Sequence, residues 1–183
     1  ITIFGEEARP AYDRVQLTSF FEKESADELL IERFDWYIAN GIDLHLGERV
    51  VEIDRENKTV TSQNGKRCSY DHLILATGSS PFVPPIKGTD LEGVFVYRTI
   101  EDLEAIRAYA EKSKTATVIG GGLLGLEAAN ALRLLGLETH VVEFAPQLMP
   151  VQLDETGGAL LRKEVEALGV HIHTGMKTEL IDA

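Results

Sequence analysis

Apolar positions follow two rhythms along the chain, and the switch between them organises it. Ile1-Thr2-Ile3-Phe4 is a mostly apolar run that reads as a short strand, and the polar loop GEEARPAYDR follows it. Ser25-Ala26-Asp27-Glu28 has the form of a capping box, in which Ser25 and Glu28 each satisfy an orphan amide at a helix start. It predicts a helix over about residues 26–39, with Leu29, Leu30, Phe34 and Ile38 near helical spacing and Asn40-Gly41 as its stop. IDLHL, VVEID, KTVTS and KRCSY then read as short strands, punctuated by Gly47, Asp54–Asn57 and the hairpin signal Asn64-Gly65. Together they predict a small antiparallel meander. HLILATG reads as a buried strand that enters a glycine turn.

The rhythm changes after residues 79–93, a connector carrying Pro81, Pro84 and Pro85, which we take as the region of the domain boundary. Thr99 caps an expected helix near 100–112 that turns Leu103, Ile106 and Tyr109 or Ala110 inward. TATVIG is a strand, GGLLGLEAANALRLLG a helix ended by Gly136, and ETHVVEF a strand. Residues 154–168 are a helix and VHIHT is a strand. Strand, helix, strand, helix, strand at this spacing means parallel crossover units in a doubly wound α/β sheet.

Chemistry enters at the turn between TATVIG and its helix. Gly120, Gly122 and Gly125 fill G-x-G-x-x-G. The first allows a tight turn, the second lets a pyrophosphate approach bare backbone, and the third lets the helix pack close to the strand. The helix start, at Leu123 and Leu124, presents unpaired amides and a positive dipole end to phosphates. Glu143 closes the next strand 18 residues after Gly125, where a carboxylate can accept hydrogen bonds from an adenosine ribose. The same charge would repel a 2′-phosphate, and no Arg or Lys follows Glu143 closely, so NAD is favoured over NADP. The alternative is that these glycines only tighten a helix–strand turn.

Composition narrows the partners. A formal charge of −12 argues against a nucleic-acid backbone or an anionic membrane surface. The single Cys68 excludes an internal disulfide or a redox dithiol within the chain. No apolar run approaches the roughly 20 residues of a membrane span.

ITIFGEE repeats the close of the nucleotide unit, a strand running into Glu6 and Glu7 as ETHVVEF runs into Glu143. The strand, glycine loop and helix that belong before it are not in the sequence. We therefore expect an excerpt about 30 residues short at its front. The expected units are a partial FAD domain over 1–96, with its meander, and a partial NAD domain over 97–183 with its parallel sheet.

With YDRVQL, LILATGSSP and GGGLLGLEAA on the page, the chain resembles the flavoprotein reductases built from two dinucleotide-binding folds, one for FAD and one for NAD. PAYDRVQLTSFF, PFVPPIKGTD, VFVYRTIEDLEAI and GLETHVVEFAPQLMP resemble, within that group, the large subunit of NAD(P)H-dependent assimilatory nitrite reductases. The resemblance implies that Glu6 or Glu7 meets the FAD ribose and that Arg14 lies near the flavin pyrophosphate. It also implies that the backbone of Val50 meets the adenine, and that Ala76-Thr77-Gly78 passes close to FAD. For Arg14 a surface ion pair with Glu6, Glu7 or Asp13 is the competing reading, and for Val50 an ordinary buried strand residue. Glu127 faces nicotinamide and flavin in ferredoxin-reductase relatives, where a Lys pairs with it. This chain has Ser19 at that Lys position, and a helix-surface carboxylate is the alternative for Glu127.

The activity implied is a flavin and NADH module that passes hydride from NADH to FAD. Electrons then go to iron–sulfur and siroheme centres, in a C-terminal region outside this sequence, that reduce nitrite to ammonium. The resemblance further implies a cytoplasmic protein, in a homodimer or with a small subunit of the same enzyme. An NADH:ferredoxin or rubredoxin reductase is the second reading. From another class, the chain is an inactive piece that only binds nucleotide or folds as a scaffold. Two lesser candidates remain. His171 and His173 alternate on one strand as metal ligands do, but with no third ligand suggested they read as solvent-facing. Cys68 reads as a packed thiol, and His45, His72 and His140 as isolated residues.

Overall fold

The computed structural model describes every residue except Glu24 and Ala183. The chain divides into two compact units, Ile1–Arg14 with Ser25–Ser79, and Val15–Glu24 with Ser80–Ala183.

In the first unit, strand β1 (Thr2–Phe4) pairs in parallel with β2 (Asp43–His45), Ile3 opposite Leu44. Helix α1 (Phe34–Ala39) lies between them in sequence. Gly41 ends it at φ +67°, its amide bonding Ile38 O at 3.0 Å, and the Asn40 side chain bonds Trp36 O at 2.8 Å. The predicted helix over 26–39 is therefore split. Its capping box is present on Ser25 and Glu28, but it opens only a 3-10 turn, Ala26–Leu29, and Leu30 turns to extended backbone. The reason is tertiary. The Ile31 amide bonds Ala11 O and the Asp13 amide bonds Leu29 O, both at 2.9 Å, and Tyr12 bridges Leu30. Burial of Tyr12 and Leu29 makes that pairing better than two more helical turns.

The meander contains three strands rather than four: β3 (Val50–Asp54), β4 (Thr59–Ser62) and β5 (Arg67–Ser69), antiparallel in that order. IDLHL is excluded from it because β2 is committed to β1 and Gly47, at φ +66°, turns the chain. The expectation for HLILATG is also corrected. Among the described residues no strand pairs with it, and Ile74 and Leu75 are 87% and 66% exposed. An apolar run without a ladder partner leaves its amides to water and does not become a strand.

The second unit carries the parallel sheet. Its strands β6 (Thr115–Ile119), β7 (Glu138–Glu143) and β8 (Val170–Thr174) lie in that order, joined by α3 (Leu123–Leu134) and α4 (Glu155–Ala167). Alternation sends Val141, Val170 and Ile172 to one face, where they form a core with Ala129 and Leu148. Val118, Leu126, Leu161 and Val165 pack around them. Each fully buried aliphatic contributes about 1.5–3 kcal/mol. The small side chains Ala128, Ala129 and Ala131, all buried, let α3 lie close on the sheet. Asp154 caps α4 by accepting the Gly157 amide at 2.8 Å. Helix α2 (Ile100–Ala110) opens on a full capping box between Thr99 and Asp102 and buries Ile100, Leu103 and Ile106. Arg107 on α2 donates to Phe20 O at 2.8 Å and covers the Phe20 ring, tying the Val15–Glu24 segment to this unit.

Candidate functional site

The glycine loop sits where β6 ends and α3 begins, and its three glycines do three different things. Gly120 has φ +114°, a conformation side chains resist, while its amide extends the ladder to Val142 O at 2.8 Å. Gly122 is the N-cap of α3 and offers no side-chain cap, and a Cβ there would meet nothing within 4 Å. The first amides of α3 are therefore left without a side-chain cap, beside backbone that is open at the Gly122 Cβ position. At Gly125 a Cβ would lie 2.0 Å from the Gly120 carbonyl oxygen, so only glycine lets the helix approach the loop. Leu123 and Leu124, in the first turn, are exposed beside this opening.

Glu143, at the end of β7, turns its carboxylate onto the loop. One oxygen accepts the Gly121 amide and the other the Ala145 amide, both at 2.6 Å. Gly121 is held from its other side by the Met149 amide, 3.0 Å from its carbonyl oxygen. A Cβ on Gly121 would lie 2.7 Å from the end of the Leu148 side chain and 3.0 Å from Glu143 Cβ, so the loop packs closely at this glycine too. A carboxylate offers about four acceptor sites, and two are used by the backbone. The remaining lone pairs leave Glu143 able to accept ribose hydroxyls. The pattern Gly120, Gly122, Gly125 and Glu143 is thus brought together as one constellation.

In the first unit, the acids after β1 have unlike surroundings. Glu6 is exposed and pairs with Arg49 at 3.3 Å. Glu7 is half-buried: one oxygen pairs with Arg14, and the other accepts the Tyr12 hydroxyl at 2.5 Å. Arg14 also donates to the Tyr12 hydroxyl at 2.7 Å. Burial alone would lower the Arg14 pKa, but the Glu7 hydrogen bond and the Tyr12 and Glu7 charges raise it above its usual value. The ion-pair reading of Arg14 thus has its partner, Glu7. Tyr12 is the hub of this triad, and its sequence signal was only its place inside the YDR segment. Val50 begins β3 opposite Ser62 and is half-buried. Ala76, Thr77 and Gly78 lie in exposed chain, with Gly78 at φ +64°.

Glu127, on α3, accepts the Thr18 hydroxyl at 3.2 Å. Ser19 donates its hydroxyl to Gln16 O at 2.7 Å. The half-buried Tyr97 has its pKa raised, first by burial and also by the Glu127 charge, against an opposing contribution from Thr18. Thr18 and Tyr97 were not singled out from sequence; they are 109 and 30 residues from Glu127, and no local spacing could flag them.

The isolated-residue reading of His45 and His140 is corrected. His45 lies 2.9 Å from Asp43 and 2.8 Å from Lys66, and His140 lies 3.0 Å from His173. The Cys68 thiol is half-buried on β5, its Sγ 3.4 Å from Ser69 O. Among the described residues, no helix is long and apolar enough to cross a membrane.

A glycine loop seated this way on a parallel strand–helix–strand unit, with a carboxylate drawn onto it from the next strand, defines a dinucleotide-binding oxidoreductase fold. The chain belongs to the pyridine nucleotide-disulphide oxidoreductase family, whose model matches residues 1–183. It is 54% identical over 178 residues to the nitrite reductase (NADH) large subunit of Escherichia coli strain K12, covering 97% of this chain and 21% of that protein. The chain thus spans about a fifth of that relative's length. Among solved structures, a ferredoxin reductase from Rhodopseudomonas palustris superposes with a TM-score of 0.93 at 28% identity, over 100% of this chain and 46% of that one. An NADH:rubredoxin oxidoreductase from Clostridium acetobutylicum gives 0.88 at 30% identity, over 98% and 47%. The fold expected from sequence is borne out, and so is the likeness to nitrite reductase large subunits.

Proposed function

We propose that this chain is the flavin and NADH module of a nitrite reductase large subunit. The observation carrying the nicotinamide half is the Glu143 carboxylate held 2.6 Å from the Gly121 amide beside the open Gly122 backbone. In this reading the α3 amides at Leu123, Leu124 and Gly125 receive the pyrophosphate, and Glu143 receives the ribose diol and repels a 2′-phosphate. The chemistry supplied by the two bound dinucleotides is hydride transfer from nicotinamide to flavin and onward delivery of electrons. The chain's own residues bind and orient; none needs to exchange a proton. Glu6 or Glu7, Arg14, Val50 and Ala76–Gly78 are the proposed flavin contacts. Arg14 reaches the flavin pyrophosphate only by sharing its guanidinium with Glu7 and Tyr12. The proposed acceptors, iron–sulfur and siroheme centres acting on nitrite, lie outside these residues.

The 54% identity supports this reading over an NADH:ferredoxin or rubredoxin reductase, as does Ser19 in place of the Lys. The structural likeness to both reductases keeps the second reading specific. G-x-G-x-x-G at residues 120–125, with Glu143 beside it, supports tighter binding of NADH than of NADPH. Titration of the purified chain with NADH and NADPH tests the nicotinamide half. Saturable NADH binding, tighter than NADPH and weakened at least tenfold by Gly122→Ala, is expected. No measurable NADH association overturns the reading, and tighter NADPH binding overturns the role of Glu143.

A further inference from the structure

The sheet of the second unit has a face opposite Val141 and Ile172, and it gathers four metal-ligating side chains that the nucleotide function does not use. Alternation puts Glu138 and His140 of β7 on that face, and the parallel register sets His171 of β8 beside His140. His140 Nε2 lies 3.5 Å from Glu138 Oε1, and His171 Nε2 lies 3.9 Å from the same oxygen. One ligand atom from each of the three residues falls within 4.8 Å of the others. The His140 ring stacks on His171 at 4.7 Å between centroids. Its other nitrogen, Nδ1, is 3.0 Å from His173 Nε2.

We propose that Glu138, His140 and His171 form a binding site for one divalent transition-metal ion of the zinc class. Two imidazoles and one carboxylate are a donor set that favours zinc or cobalt over magnesium or calcium. Tetrahedral zinc with such ligands separates neighbouring donor atoms by about 3.3 Å, so the observed 3.5 and 3.9 Å close with small side-chain rotations. Glu138 and His171 are 60% and 55% exposed and free to make them. Water completes the coordination. The contact between His140 Nδ1 and His173 leaves Nε2 as the metal-facing atom, which makes His173 a positioning residue rather than a ligand. The registered neighbours on β6, Thr115 and Thr117, bring no positive charge to oppose the ion. From sequence this site was hidden, because its third and fourth members come from a strand 30 residues away.

Calorimetric titration of the purified chain with zinc chloride tests the site. One ion per chain is expected, weakened at least tenfold by Glu138→Gln and by His171→Ala, and about tenfold by His173→Ala. His72→Ala, in exposed chain outside the cluster, leaves binding unchanged. Cobalt chloride reports geometry independently: a visible low-coordination spectrum appears in the native chain and disappears in both His171→Ala and His171→Gln. Far-UV circular dichroism confirms that these exposed positions have been altered without loss of fold. Absence of saturable zinc binding overturns the proposal, as does equal binding by the native chain and the cluster variants, or a loss in His72→Ala equal to that in His171→Ala.

Discussion

Two alanine substitutions three residues apart should have opposite characters. At Gly125 the added methyl would lie 2.0 Å from the Gly120 carbonyl oxygen and 3.0 Å from its carbon. Both atoms are backbone, so no side-chain rotation relieves the clash; α3 must lift from the end of β6. Overpacking of this kind costs about 3 kcal/mol at the upper part of its usual range. Alanine returns about 1 kcal/mol of helix propensity over glycine. The second unit should therefore lose about 2 kcal/mol, with α3 and the core residues Val141 and Leu148 beneath it loosened. At Gly122 the methyl meets nothing within 4 Å and φ is −81°, so the fold loses only the modest N-cap preference of glycine, below about 1 kcal/mol. Its effect falls on the nucleotide instead, because the methyl occupies the space in front of the α3 amides. Urea denaturation followed by circular dichroism, with amide exchange resolved on α3, measures the first quantity. NADH titration measures the second. A Gly125→Ala chain as stable as the native one refutes the close-approach argument, whatever happens to NADH.

Three further outcomes follow from the same structure. Glu143→Gln places an amide NH2 against the Gly121 or Ala145 amide, costs about 1.5–3 kcal/mol of stability by urea denaturation, and narrows the preference for NADH over NADPH in competitive titration. Thr99→Ala removes the hydroxyl that accepts the Asp102 amide at 3.1 Å, and it should cost about 1 kcal/mol with the protection loss confined to the first turn of α2. Tyr97 has a folded pKa above its unfolded value, so the stability it carries is complete below about pH 10 and is lost as pH rises through the folded pKa. Tyr97→Phe should therefore flatten the fall in urea midpoint above about pH 10, and an unchanged fall would remove Tyr97 as its source.

Legibility in the sequence tracked the range of the interactions. The glycine loop could be read because each glycine answers a local demand: a positive φ at Gly120, open backbone at Gly122, and helix–strand contact at Gly125. The Thr99 cap and the parallel strand–helix–strand units could be read for the same reason. The 26–39 helix misled because its local signal, the Ser25–Glu28 box, is real but loses to backbone pairing with residues 11–13. HLILATG misled because apolarity marks a segment that can be buried, not one that has a strand beside it.

Sequence alone determined where the glycine loop lies, which acid accompanies it and the strand–helix–strand units of the parallel sheet. These rest on backbone conformation and on periods of two and 3.6 residues, which any stretch of chain carries within itself. Only the tertiary structure decided that Arg14 shares Glu7 with Tyr12, that Thr18 rather than a lysine meets Glu127, and that Glu138, His140 and His171 converge. Those meetings depend on strand register and on chain returning from tens of residues away, and neither has a signature in local order.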